Sequence, residues 1–171
     1  MVAGFVFTSV LLVGCGTETV SGEAVGAPES ASAGSGPFDG CVGIPDEALA
    51  AAGLDPTKKA PDEESGTLGW TICTVEGDGV YLMIAGTDMT LDGVRADSLT
   101  IDHRDVEVAG RLAVQHRRLY DTVEESCILA FGSAQGVTML RLDAKLSNSD
   151  PGDLCLSLSD RAVGLVPYLP S

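Results

Sequence analysis

Apolar residues alternate with polar ones in three stretches of this chain and recur at helical spacing in two others. In "TLGWTICTVEGDGVYLMIAGTD" (residues 67–88), Leu68, Trp70 and Ile72 fall on one side, as a half-buried strand requires. The Gly77-Asp78-Gly79 group interrupts the run, and Asp-Gly between two such segments is a hairpin signal. "RDVEVAGRLAVQHRR" (104–118) alternates Val106 and Val108, turns near Ala109-Gly110 and resumes with Leu112 and Val114. "SCILAFGSAQGVTMLRLDA" (126–144) repeats the scheme, with Cys127, Leu129 and Phe131 on one face and a turn within 132–136. Helical signals flank these strands. "GIPDEALAAAGLDP" (43–56) has Pro45, Asp46 and Glu47 in a first turn and Gly53 just past the end. "NSDPGDLCLSLSDRAVGLVPYLP" (148–170) predicts Asp150 as N-cap and Pro151 as the first helical residue. Its stripe of Leu154, Leu158, Ala162 and Leu165 is closed by Pro167. "TLDGVRADSLT" (90–100) reads equally as a short helix or a loop, and residues 57–66, charged and Pro-containing, read as a surface loop. The expected fold is α+β: a mostly antiparallel sheet of about six strands, with an N-terminal and a C-terminal helix packed on one face.

The first 36 residues follow a different pattern. Residues 1–14, MVAGFVFTSVLLVG, carry no charge. The run is too short for a membrane-spanning helix, which needs about 20 residues, and suits the apolar region of a secretory signal. Leu-Val-Gly-Cys at 12–15 looks like a bacterial lipobox, in which Cys15 is diacylated on sulfur and becomes the mature N-terminus. Two acyl chains, at about 0.8 kcal/mol per buried methylene, hold firmly in a bilayer. No Lys or Arg precedes Cys15, so the basic start of a signal peptide is expected from a start codon upstream of Met1. Residues 16–36 are rich in Gly, Ser, Ala and Glu, with almost no large apolar side chain. Such a segment cannot bury enough surface to offset its conformational entropy, and as a flexible coil it reaches roughly 25 Å. The expected organisation is a signal peptide over 1–14, a lipidated cysteine and tether over 15–36, and one domain over 37–171.

Charge and cysteine content narrow the picture further. Ten Lys and Arg against 25 Asp and Glu leave a net charge of −15, which argues against nucleic acid and against a basic patch on anionic lipid. Five cysteines are an odd number; with Cys15 assigned to the lipid, Cys41, Cys73, Cys127 and Cys155 remain. Four thiols in an exported domain allow three pairings. The sequential one, Cys41–Cys73 and Cys127–Cys155, is expected, each closing a loop worth roughly 3.5 kcal/mol. No C-x-x-C pair occurs among them, so a zinc ribbon and redox catalysis are disfavoured.

Taken in order, "PFDGCVGIPDEALAAAGLDP", "GWTICTV", "VAGRLAV", "SCILAF" and "DLCLSLSDRAVGLVPYLP", after a lipobox and a low-complexity tether, form a set. The set resembles the actinobacterial lipoproteins grouped as domain of unknown function 3558, over most of residues 37–171. Its most specific parts are Pro37-Phe38-Asp39 before Cys41, Gly69-Trp70 before Cys73, and the closing Leu169-Pro170. The resemblance implies export, lipidation and an extracytoplasmic domain; it implies no known catalytic residues.

Candidate chemistry is sparse. His103 lies beside Asp102 and Asp105, residue types that could orient an imidazole base. His116 precedes Arg117 and Arg118, whose charge disfavours a protonated or metal-bound ring. Both histidines are expected on solvated strand ends. Ser133 in "GSAQG" misses the nucleophile-elbow spacing by one residue, and "EGDGV" and "SNSDPGD" do not match a calcium loop. "GRLAVQHRRLY" (110–120), with Arg111, His116, Arg117 and Arg118, is the best candidate for a polar contact site. The leading expectation is a non-enzymatic envelope module that binds a partner protein, a lipid or a small molecule, without metal or cofactor. The alternatives are an envelope hydrolase using His103 with Asp102 or Asp105, and a purely structural surface lipoprotein.

Overall fold

A computed structural model describes residues 36–62, 69–121, 125–148 and 150–171. Cys15, the apolar run before it and nearly all of the tether lie outside the described residues, as does Leu68.

Two short helices come first, α1 (Gly40–Gly43) and α2 (Asp46–Ala51). Strands β1 (Leu54–Pro61), β2 (Trp70–Gly77) and β3 (Val80–Thr87) follow, then α3 (Leu91–Ala96). Strands β4 (Thr100–Val108), β5 (Arg111–Arg118), β6 (Ser126–Ser133) and β7 (Gly136–Ala144) precede α4 (Leu154–Leu165) and a 3-10 turn, Val166–Tyr168. All strand pairs are antiparallel, in the order β1-β2-β3-β7-β6-β5-β4. Two meanders, β1-β2-β3 and β4-β5-β6-β7, therefore meet along a β3–β7 seam.

Among the described residues the sheet has seven strands, where the sequence suggests about six. The additional one is β1, whose Lys58, Lys59 and Pro61 read as loop. It is an edge strand, where an N–H facing solvent makes proline tolerable and lysine blunts further pairing. Its register with β2 shifts between Asp55 and Lys59, which also breaks the alternation a reader would look for. A second correction concerns α4. Asp153, not Asp150, is the N-cap, its carboxylate accepting from Cys155 N at 2.9 Å and Leu156 N at 3.0 Å. Gly152 at φ 65° turns the chain between the two aspartates, so Pro151 stays outside the helix.

Because side chains alternate along a strand, Leu129 and Ala130 belong to opposite faces of the sheet. Leu129, Phe131, Leu140, Leu142, Leu82 and Ile84 form one core with Leu49 of α2 and the Leu154, Leu158, Ala162 and Leu165 stripe of α4. The other parity, Val114, Ala130 and Val137, clusters with Val94 of α3. Cys41 and Cys73 form one disulfide and Cys127 and Cys155 another, tying α1 to β2 and α4 to β6.

A candidate ligand cavity on the α3 side of the sheet

The connection from β3 to β4 must cross three intervening strands, and α3 lies on this crossing, contacting β4 and β6. Thr90 caps α3, its hydroxyl accepting from Gly93 N at 3.1 Å, and an Arg95–Asp105 ion pair links the helix to β4. Between this crossing and the sheet lies a cavity of about 410 Å³.

Strand register builds its floor in rows. One row runs His116, Ile128, Arg141, Met83 across β5, β6, β7 and β3. The next runs Val114, Ala130, Met139, Ala85, Ile72 and ends in β2. Ala85 is the small member of this row within the lining, which leaves depth above the backbone, while Val114 and Ala130 are packed beneath Val94. Trp70, Met89 and Val94 complete the apolar wall. The chain has four methionines, and the three beyond Met1 all face this one space, together with its single tryptophan. Methionine is flexible and polarisable, so such a wall can adapt to differently shaped apolar ligands.

The polar groups of the lining differ in how far they are already satisfied. Arg141 binds Asp143 through Nε and Nη2, both at 2.7 Å, and Asp121 through Nη2 at 3.1 Å. Ser126 Oγ donates to Asp121 at 2.5 Å. Burial raises the Asp143 carboxyl above its ordinary range, and Arg141 works against that rise. Asp97 accepts from Leu99 N at 2.9 Å, and the Thr100 hydroxyl contacts the Val94 and Asp97 carbonyls, each at 2.9 Å. The Arg118 carbonyl accepts from Asp121 N at 3.1 Å, and its guanidinium makes no hydrogen bond or ion pair with the described residues. His116 is the exception within the interior. It is 2 % exposed, and neither ring nitrogen has a hydrogen-bond partner. Burial, and after it the neighbouring His103, push its pKa down to about 4, so the ring is neutral at pH 7.

This overturns the expectation of a solvated His116. The parity that puts Val114 on the α3 side puts His116 there too, and Ile128 and the stacked His103 ring, 5.7 Å away, help to close it in. His103 itself is half-buried, with Nε2 2.9 Å from Thr100 Oγ1. The carboxylates beside it in sequence point elsewhere: Asp102 pairs with Arg117 and Asp105 with Arg95. His103 is thus not brought to either carboxylate. The basic stretch 110–120 is split by the same alternation. Arg111 donates to the carbonyls of Leu169 at 3.2 Å, Pro170 at 2.7 Å and Gly132 at 3.1 Å, and so fastens the C-terminus to the sheet. Arg117 pairs with Asp102 and donates to the Asp121 carbonyl at 3.0 Å. Only His116 and Arg118 reach the cavity. The sequence reading passed over the cavity itself; the clustering of Met83, Met89 and Met139 was the available signal.

Comparison with known proteins adds one result. A family model for proteins of unknown function, DUF3558, matches residues 10–167. The chain belongs to this family. No curated protein and no solved structure matches it. The landmarks that carried the DUF3558 resemblance have structural work in this chain. The Asp39 carboxylate caps α1 by accepting from Cys41 N at 2.9 Å, beside the disulfide. The Phe38 carbonyl accepts from the Thr71 hydroxyl, and it lies so close over Gly86 that a Cβ there would collide with it. Leu169-Pro170 is the pair held by Arg111, and Trp70 is a wall of the cavity. Among the described residues no group of three or more His, Cys, Asp or Glu is placed to hold a metal ion.

Proposed function

We propose that this DUF3558 chain is an extracytoplasmic lipoprotein, held on the cell membrane through Cys15, whose domain binds a small apolar or amphiphilic molecule and performs no chemistry on it. The observation that carries the binding reading is the cavity: about 410 Å³, within the usual range for small-molecule sites, walled by Trp70, Ile72 and the three domain methionines. Support for the anchor comes from the sequence, where Cys15 stands between an uncharged apolar run and a segment rich in Gly, Ser, Ala and Glu. Among the described residues no helix is long and apolar enough to cross a membrane. The hydrolase alternative has no supporting geometry, since both carboxylates next to His103 are engaged by arginines.

Trp70 is the only tryptophan, so its fluorescence reports on the cavity without background. Titrating the full chain carrying Cys15→Ala, free of its own acyl groups and of detergent, with decan-1-ol is expected to give a saturable change in Trp70 emission. A strictly linear response up to the solubility limit of the alcohol would contradict a binding cavity.

A further inference from the structure

The reading of the cavity as a ligand site leaves open what it binds, and its size and polar chemistry narrow the choice. Taking a methylene as about the ~30 Å³ that a water molecule occupies in the liquid, 410 Å³ holds roughly fourteen heavy atoms. A two-chain lipid is several times larger than this space.

The head group follows from what the lining leaves unsatisfied. Arg141 is matched by Asp121 and Asp143, and Asp97 and Thr100 already bond to the backbone. Three carboxylates, Asp97, Asp121 and Asp143, stand in or against the lining beside Arg118 and Arg141. On a chain of net charge −15, that balance disfavours an anionic head. A cationic head is disfavoured at His116, which is packed against a second histidine and near Arg118. What remains is His116 itself, buried in the lining with one donor and one acceptor nitrogen and no partner for either. Orphaned buried polar atoms are rare in folded proteins, because each forfeits its hydration without replacement. Both nitrogens are covered by neighbouring atoms, so a ligand reaches them by displacing wall side chains. The cavity wall includes three methionines, flexible side chains that let a ligand body settle beside such a rearrangement.

We propose that the cavity takes an uncharged amphiphile of roughly fourteen heavy atoms, whose single hydroxyl or amide head hydrogen-bonds to His116 while its apolar body lies against Met83, Met139 and Trp70. This rests on the binding reading above and adds a ligand class and an orientation to it.

The test compares two probes on three proteins, all carrying Cys15→Ala: the otherwise unchanged chain, His116→Leu and His116→Gln. Decan-1-ol has a head group and biphenyl has none; each dissociation constant is read from Trp70 emission, and thermal unfolding confirms that each variant is folded. His116→Leu is expected to weaken decan-1-ol about five- to tenfold, the worth of one net hydrogen bond, while leaving biphenyl within about twofold. His116→Gln, which keeps a donor and an acceptor, is expected to recover part of the loss. Equal binding of decan-1-ol by the unchanged chain and His116→Leu would overturn the head-group assignment and leave His116 to a structural water. Binding of neither probe to the unchanged chain would instead overturn the cavity reading on which the assignment rests.

Discussion

His116 concentrates the chemistry of the domain in one side chain. Its ring is neutral and buried, and it makes no hydrogen bond. Below its ordinary pKa of 6.5 the unfolded chain binds a proton that the folded chain refuses until about pH 4. Stability attributable to this residue is therefore full above about pH 6.5 and falls as the pH drops through that window, by on the order of 3 kcal/mol. His103 and Arg118 oppose protonation, the Arg117 backbone and Asp97 favour it, and burial dominates. His116→Phe is expected to raise stability at pH 7 by about 1 kcal/mol, because an unsatisfied polar ring gives way to an apolar one. It should also flatten the loss of stability between pH 6.5 and 4.5. Urea unfolding at the two pH values measures both, and an unchanged slope would show that another group governs the acid limb. The sequence placed His116 among arginines and so suggested water. Neighbours in sequence are a poor guide on a strand, where burial is decided by residues two apart and by the strands alongside.

Local patterns identified most elements correctly, and the exceptions share a cause. Alternation exposed β2 to β7, and the spacing of four, four and three exposed the buried stripe of α4. β1 escaped because an edge strand is paired on one side only and can carry Lys and Pro. The α4 cap was misplaced because two aspartates, Asp150 and Asp153, each precede a plausible first turn, and only the backbone at Gly152 decides between them. The β4–β5 hairpin offers a test at this scale. Ala109 and Gly110 both have positive φ, 50° and 78°, the type I′ turn that favours Asn-Gly. An alanine held in the left-handed region costs about 1 kcal/mol. Ala109→Asn is expected to stabilise the domain by roughly 0.5–1 kcal/mol, read as a higher melting temperature; a lower one would mean that the turn is otherwise formed.

The cavity belongs to the whole molecule and could not be assembled from local patterns. It straddles the β3–β7 seam, where Met83 faces Arg141 and Ala85 faces Met139 across more than 50 residues of sequence. The topology also decides that the crossing from β3 to β4 must run over the seam, placing α3 as its cover. Nothing in the periodicity of any one strand contains that pairing, although the three methionines and Trp70 were visible from the start. The proposed anchor is the reverse case, resting on the sequence around Cys15 alone. Cys15→Ala is expected to move the protein from the membrane fraction to the soluble or secreted fraction, and unchanged retention would contradict lipidation as the attachment.

The central claim is that a small apolar molecule occupies the space between α3 and the sheet, and methionine methyl resonances test it directly. Met83, Met89 and Met139 are the only methionines after Met1, so their methyl groups form a complete set of reporters around one cavity. In the full chain carrying Cys15→Ala, with methionine methyl groups labelled, addition of decan-1-ol is predicted to shift all three domain signals along one saturation curve. Signals that stay in place while the alcohol is added to its solubility limit would contradict the account.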